Sequence, residues 1–263
     1  MKILKKIRFF IQELFSRFSE NNISVFAAQA TFFMIISAIP FFMLLLGFAK
    51  YFVPFEKSEI LNAMSHFLPQ KVYMLSTNII NELFAKTPGS LISITAITLL
   101  WSASRGILAI IRCLNSINNA PKSGFIRERL IAFLYTFLFI LVLVFTLIVL
   151  LIEKIVFRIF SLNFQVPILF FLLIILFSAI YAYLPKNKTT IKSQIPGAFL
   201  SSVCWVLFTW LYSLYIDNFS NFSYVYGSLA AIVLSMLWLY ICMNIFLCGA
   251  EFNHIINNQK SKK

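Results

Sequence analysis

Arg105 stands in the run Leu99-Leu100-Trp101-Ser102-Ala103-Ser104-Arg105-Gly106, inside an apolar stretch long enough to cross a membrane. A guanidinium at the centre of a spanning helix costs about 2.5 to 3.5 kcal/mol on insertion scales, so it turns toward protein, water or a counter-ion. Steps of four and three residues put Trp101, Arg105, Leu108, Arg112 and Asn115 on one helical face. Toward the other end of the chain Tyr240, Asn244, Cys248 and Glu251 recur at helical spacing, and Gln29 is a polar residue in the first apolar run. The chemistry open to these types is anion binding, with Arg105 as the cation and the amides as donors. Two arrangements fit. In one, Arg105, Gln29, Asn244 and Glu251 line an inward-facing hydrated cavity. In the other, Arg105 and Glu251 form an internal ion pair, or Arg105 snorkels to headgroups and Glu251 marks a helix end.

Catalytic constellations are missing from the sequence pattern. No two carboxylates share a helical face at a spacing suited to acid–base work, no Gly-rich phosphate loop precedes a helix, and the two histidines, His66 and His254, fall on opposite sides of the expected membrane. Cys113, Cys204, Cys242 and Cys248 lie in or beside apolar runs without CxxC spacing, which reads as packing thiols rather than disulfides or a metal site. We therefore expect no enzyme, no cofactor and no metal.

The elements that must position these residues follow from composition. Of 263 residues, 60% are hydrophobic and 12% charged, and the mean hydropathy is +0.88. That is a polytopic membrane chain. Phe contributes 31 residues and Gly only 7, so we expect few close Gly-mediated crossings and packing that relies on aromatics.

Apolar runs place six spans, approximately 27–49, 90–111, 130–152, 167–184, 195–216 and 227–250, with Pro40 expected to kink the first. Residues 1–20 read as an amphipathic helix on the cytoplasmic surface, and 51–89 as amphipathic helices at the outer face. The six spans form one membrane domain over 21–253, followed by a basic cytoplasmic tail, 254–263. With both termini inside, the cytoplasmic side collects Lys2, Lys5, Lys6, Arg8, Arg17, the bases from Arg112 to Arg129, Lys186, Lys188, Lys192 and the tail lysines. The outer side keeps Lys50, Lys57, Lys71, Lys86, Lys154 and Arg158. The net charge of +13 is thus explained by orientation and lipid attachment, and no nucleic-acid partner is expected. Trp101, Trp205, Trp210 and Trp238 fall well inside their spans, where interhelical packing or an amphiphile-sized cleft accounts for them.

Ala28-Gln29-Ala30-Thr31-Phe32-Phe33 with Ser37 and Pro40, Leu100-Trp101-Ser102-Ala103-Ser104-Arg105 with Leu114-Asn115, Pro185 with Pro196-Gly197-Ala198, and Tyr226-Gly227 leading to Leu237-Trp238-Leu239-Tyr240 and Gly249-Ala250-Glu251 come in a specific order. Over about Asn21 to Asn253 the chain resembles the YihY/BrkB family of bacterial inner-membrane proteins. Thr31 and Phe32 depart from the usual aromatics of that family, and Gln29 stands where an apolar residue is common. The resemblance implies six inner-membrane helices with cytoplasmic termini. It also implies a virulence or serum-resistance factor, or an exporter of envelope lipids or lipopolysaccharide precursors, and it carries an old label of tRNA-processing ribonuclease. The residues favour an all-helical transporter or exporter that binds an anionic amphiphile, with membrane lipids as partners. A non-transporting scaffold is the competing class, and oligomeric state is not legible.

Overall fold

The computed structural model describes residues 12–52, 77, 89–121, 124–157, 165–218 and 222–261, and among them only helices, turns and connecting backbone occur. Seven helices follow in order: α1 (Gln12–Glu20), α2 (Ile23–Phe52), α3 (Gly89–Ile117), α4 (Phe125–Phe157), α5 (Gln165–Tyr183), α6 (Ile191–Asn218) and α7 (Phe222–Ser261). Helices α2 to α7 each contain or closely match one of the six apolar runs. Three stretches among the described residues are long and apolar enough to cross a membrane: Ile97–Ile117, Ile191–Ile216 and Ile232–Gln259. The bent pair Gln12–Glu20 and Ile23–Ala38 makes a fourth if it is taken as one span.

The amphipathic segment expected over 1–20 is helical from Gln12 to Glu20, and its first eleven residues lie outside the described set. So does almost all of the expected outer-face segment, 51–89. Helix α2 passes through Pro40 as one 30-residue element. A bend of 58° lies between α1 and the start of α2. It is made by Asn21 and Asn22, with Asn22 at φ 51°. Asparagine visits this left-handed region because its short polar side chain bonds locally; here Nδ2 of Asn22 donates to the Glu20 carbonyl. An Asn22→Val variant is expected to lose about 1 to 2 kcal/mol of stability and Asn22→Gly almost none. Thermal unfolding of the purified variants in detergent checks both.

The tail behaves differently from its composition. Hydropathy ends the last span near Ala250, yet α7 continues to Ser261, because Glu251, Asn253 and Ile255 are buried against neighbouring helices. Polarity marks where an apolar run stops; a helix stops where its packing does.

The core joins α2 and α3 most closely. Ile23, Ala27 and Ala30 of α2 pack with Ile107, Leu108, Ile111 and Leu114 of α3, and Gly106 lets the backbones approach, since a Cβ there would sit 3.4 Å from the Ala30 carbonyl oxygen. A second, tighter crossing joins α6 and α7. A Cβ on Gly197 would lie within 2.1 Å of the Gly249 carbonyl oxygen, and one on Gly249 within 1.8 Å of Ser201 Oγ. Asn253 fixes the contact: its Oδ1 accepts from the Gly197 N–H at 2.7 Å and its Nδ2 donates to the Gln194 carbonyl at 2.9 Å. The expectation that packing would rest on aromatics rather than glycines is therefore only half right. Few glycines are present, but three of them sit at crossings, where small residues let helices gain dispersion contacts that lipid tails cannot supply.

Aromatics pack beside that crossing. Phe177, Tyr181 and Phe246 stack with centroids 4.8 and 4.9 Å apart, and Trp205 lies 5.5 Å from Phe177 and 6.1 Å from Trp238. The Tyr181 hydroxyl donates to the Phe246 carbonyl. Of the four tryptophans, Trp205 and Trp238 are packing residues, whereas Trp101 and Trp210 stand on the outside of the bundle.

Candidate functional site

The sequence-derived candidates separate into an outward cluster and a buried network. Along α3, Arg105 is exposed. Its guanidinium carbon lies 5.4 Å from the ring centroid of Trp101, one turn earlier, and 5.2 Å from that of Phe33 on α2. Helix α4 adds Arg129, whose guanidinium carbon lies 4.6 Å from the Trp101 centroid and 5.5 Å from that of Phe133. Trp101 remains 54% exposed, so one indole carries two cations on an open face.

Neither Arg105 nor Arg129 forms a salt bridge among the described residues; Arg112, two helical turns along α3 from Arg105, does, with Nε 3.0 Å from Glu128 Oε2. Arg129 immediately precedes the third apolar run. Partial burial, and then the charges of Arg105 and Arg112, pull its guanidinium pKa below the ordinary value. Cation–π contacts contribute about 0.5 to 2 kcal/mol each, which orients a guanidinium but leaves its charge in place.

Glu251 sits elsewhere. It is fully buried on α7, where Asn21 Nδ2 donates to Oε2 at 2.9 Å and Arg17 Nη1 lies 3.6 Å from Oε1. Asn21 in turn accepts from Ser116 Oγ of α3 at 2.8 Å. This network ties α1, the α1–α2 bend, α3 and α7 together, and the expected ion pair between Arg105 and Glu251 is not formed. The reason is geometric. The bend folds α1 back over the end of α7, so Arg17 reaches the carboxylate, while Arg105 lies against Phe33 of α2 and Trp101 of its own helix. The inward cavity lined by Arg105, Gln29, Asn244 and Glu251 is likewise not assembled from these residues. An open cleft of about 630 Å³ lies instead along α1, lined by Gln12, Glu13, Ser16, Arg17, Glu20 and Asn119.

The remaining candidates serve as ties. Asn244 donates to the Tyr240 carbonyl at 2.8 Å and accepts from Ser24 Oγ of α2 at 3.4 Å. Tyr240 packs against the core, and Gln29 is half-buried on α2. Asn115 Oδ1 accepts from the Lys186 backbone N–H at 2.8 Å, linking the end of α3 to the α5–α6 connection. Sequence reasoning missed Arg129, which reads as one more cytoplasmic base at a span boundary, and Arg17, which reads as a lipid-facing charge of a surface helix. Only the fold brings either beside its partner.

Comparison with known proteins gives the same direction as the fold. The model of a family described as Virulence factor BrkB matches residues 14–263. Over 265 residues the chain is 27% identical to YfkH of Bacillus subtilis (strain 168), named as a candidate ribonuclease-like protein, with 95% of this chain and 96% of that one covered. Over 278 residues it is 26% identical to a UPF0761 membrane protein of Psychrobacter sp. (strain PRwf-1), covering 97% of this chain and 51% of the other, so it spans about half the length of that relative. A UPF0761 membrane protein of Pseudoalteromonas translucida (strain TAC 125) matches at 30% identity over 81 residues, 31% of this chain and 27% of that one. No solved structure matches.

Proposed function

The chain belongs to the family described as virulence factor BrkB, and from that membership we propose a six-span protein of the bacterial inner membrane, both termini cytoplasmic, that binds an anionic amphiphile as a transporter or exporter of envelope lipid. One observation carries the reading: two guanidiniums, Arg105 and Arg129, share the exposed indole of Trp101 without a carboxylate partner among the described residues. Cations in or near hydrocarbon face water, headgroups or a bound anion. Here they converge with an indole, whose apolar body suits the glycerol or acyl region beneath a charged headgroup. The exposed flank of α4, with Leu130, Leu134, Phe137 and Leu138, continues the site as an apolar surface for acyl chains.

The cluster's chemistry is that of a binder. Arginine side chains donate hydrogen bonds and hold charge, but at neutral pH they abstract no proton, and the carboxylate beside them, Glu128, is engaged by Arg112. The proposal is accordingly for a non-enzymatic protein acting on lipid, with no cofactor or nucleic-acid partner.

The test is native mass spectrometry of the purified protein and of an Arg105→Ala, Arg129→Ala variant, asking which lipids stay bound. A charged hydrogen bond contributes about 1.5 kcal/mol or more, so loss of each arginine is expected to weaken retention of an anionic lipid about tenfold. If both forms retain the same bulk lipids in the same amounts, lipid binding at this site is refuted and a scaffold is the better description.

A further inference from the structure

The charge on the cluster specifies more than the sign of its ligand. Among the described residues its charged members are Arg105, Arg129, Arg112 and Glu128, and the carboxylate of Glu128 is engaged by Arg112. Two positive charges are left over. Their guanidinium carbons lie no more than 10.0 Å apart, because the two are held 5.4 and 4.6 Å from one ring centroid. Within that limit, one phosphate or pyrophosphate can engage both guanidiniums once the two side chains turn toward it. Each fork keeps its donors in a plane that matches phosphate oxygens two at a time.

We propose that the cluster of Arg105, Trp101 and Arg129 takes a phosphate group bearing two negative charges, a phosphomonoester or pyrophosphate, in preference to a singly charged phosphodiester. The inference rests on the reading that this cluster holds an anion. A dianion cancels the surplus charge beside the apolar face of α4, whereas a phosphodiester leaves one uncompensated guanidinium at the hydrocarbon edge, where an unpaired charge is costly.

The experiment sets phosphatidate against phosphatidylglycerol, mixed in equal amounts and offered to the full-length protein in detergent, with retained lipid read by native mass spectrometry. The wild-type chain is expected to retain phosphatidate about tenfold over phosphatidylglycerol, and Arg105→Gln or Arg129→Gln to bring the ratio to about one. Arg105→Lys and Arg129→Lys keep the charge and remove the fork, so they are expected to hold an intermediate ratio; elution profile and melting temperature report that each variant is folded. Competition with 10 mM inorganic phosphate identifies the source of the group. Displacement of phosphatidate supports a site that takes phosphate itself, and retention supports one that needs the attached lipid. Equal retention of both lipids by the wild type, lost with either arginine, overturns the dianion preference and leaves the anion reading intact. Retention unaffected by either arginine overturns both.

Discussion

Gly249→Ala is expected to unfold much of the protein or lower its melting temperature sharply. The added methyl would meet Ser201 Oγ at 1.8 Å, the Gly197 carbonyl oxygen at 2.7 Å and the Tyr181 hydroxyl at 2.9 Å. A serine side chain can rotate away; a backbone carbonyl on a packed helix cannot without separating α6 from α7. Separation would stretch the two Asn253 bonds to Gly197 and Gln194 and the Ser201 bond to the Ile245 carbonyl. Overpacking of this kind costs about 1 to 3 kcal/mol and sometimes more, a large part of what holds a domain together. The control is Gly124→Ala, whose methyl would meet nothing within 4 Å and should leave the melting temperature unchanged. Adding Ser201→Ala to Gly249→Ala should restore only part of the loss, because the Gly197 carbonyl remains. Detergent-solubilised yield and thermal stability by fluorescence-detected gel filtration measure all four forms, and a wild-type profile for Gly249→Ala would show that the crossing is looser than described.

The second large effect belongs to the buried carboxylate. Glu251→Ala leaves Asn21 without its acceptor and Arg17 with Glu13 alone, whose Oε1 lies 3.2 Å from its Nε; breaking a buried pair from one side costs about 3 kcal/mol or more, and since Arg17 is partly exposed and keeps a second carboxylate, the loss here is expected to fall below that figure. Arg17→Ala should cost more, about 3 kcal/mol, because the fully buried Glu251 then keeps only the Asn21 bond. Charge exchange decides which arginine matters. Arg17→Glu combined with Glu251→Arg is expected to recover part of the stability lost in either single variant. Arg105→Glu combined with Glu251→Arg should recover none, because those side chains belong to different clusters. Rescue by the second pair and not the first would require the network to be redrawn.

These two sites also divide what one sequence can tell. The apolar runs, the basic asymmetry and the scarcity of breakers made the helices and their order legible, since burial in lipid demands long apolar segments with internally satisfied backbone. The family resemblance was legible too, from Ala28 to Phe33, Leu100 to Arg105 and Gly249 to Glu251, and the family match bears it out. Arg105 was recognisable as the conspicuous charge because its cost is local: an arginine within an apolar run is anomalous whatever surrounds it.

Partners were a different matter. Arg17 and Glu251 are 234 positions apart, and nothing in their spacing announces a contact that exists only because Asn21 and Asn22 bend the chain by 58°. Arg129 could not be told from its neighbour Arg127 until α4 packed on α3 and placed one of them over Trp101. Gly197 and Gly249 gave no GxxxG signal, because each of the two helices contributes a single glycine to their crossing. Hydropathy is a property of each residue and survives in the sequence; pairing is a property of two surfaces brought together, and only the fold assigns it.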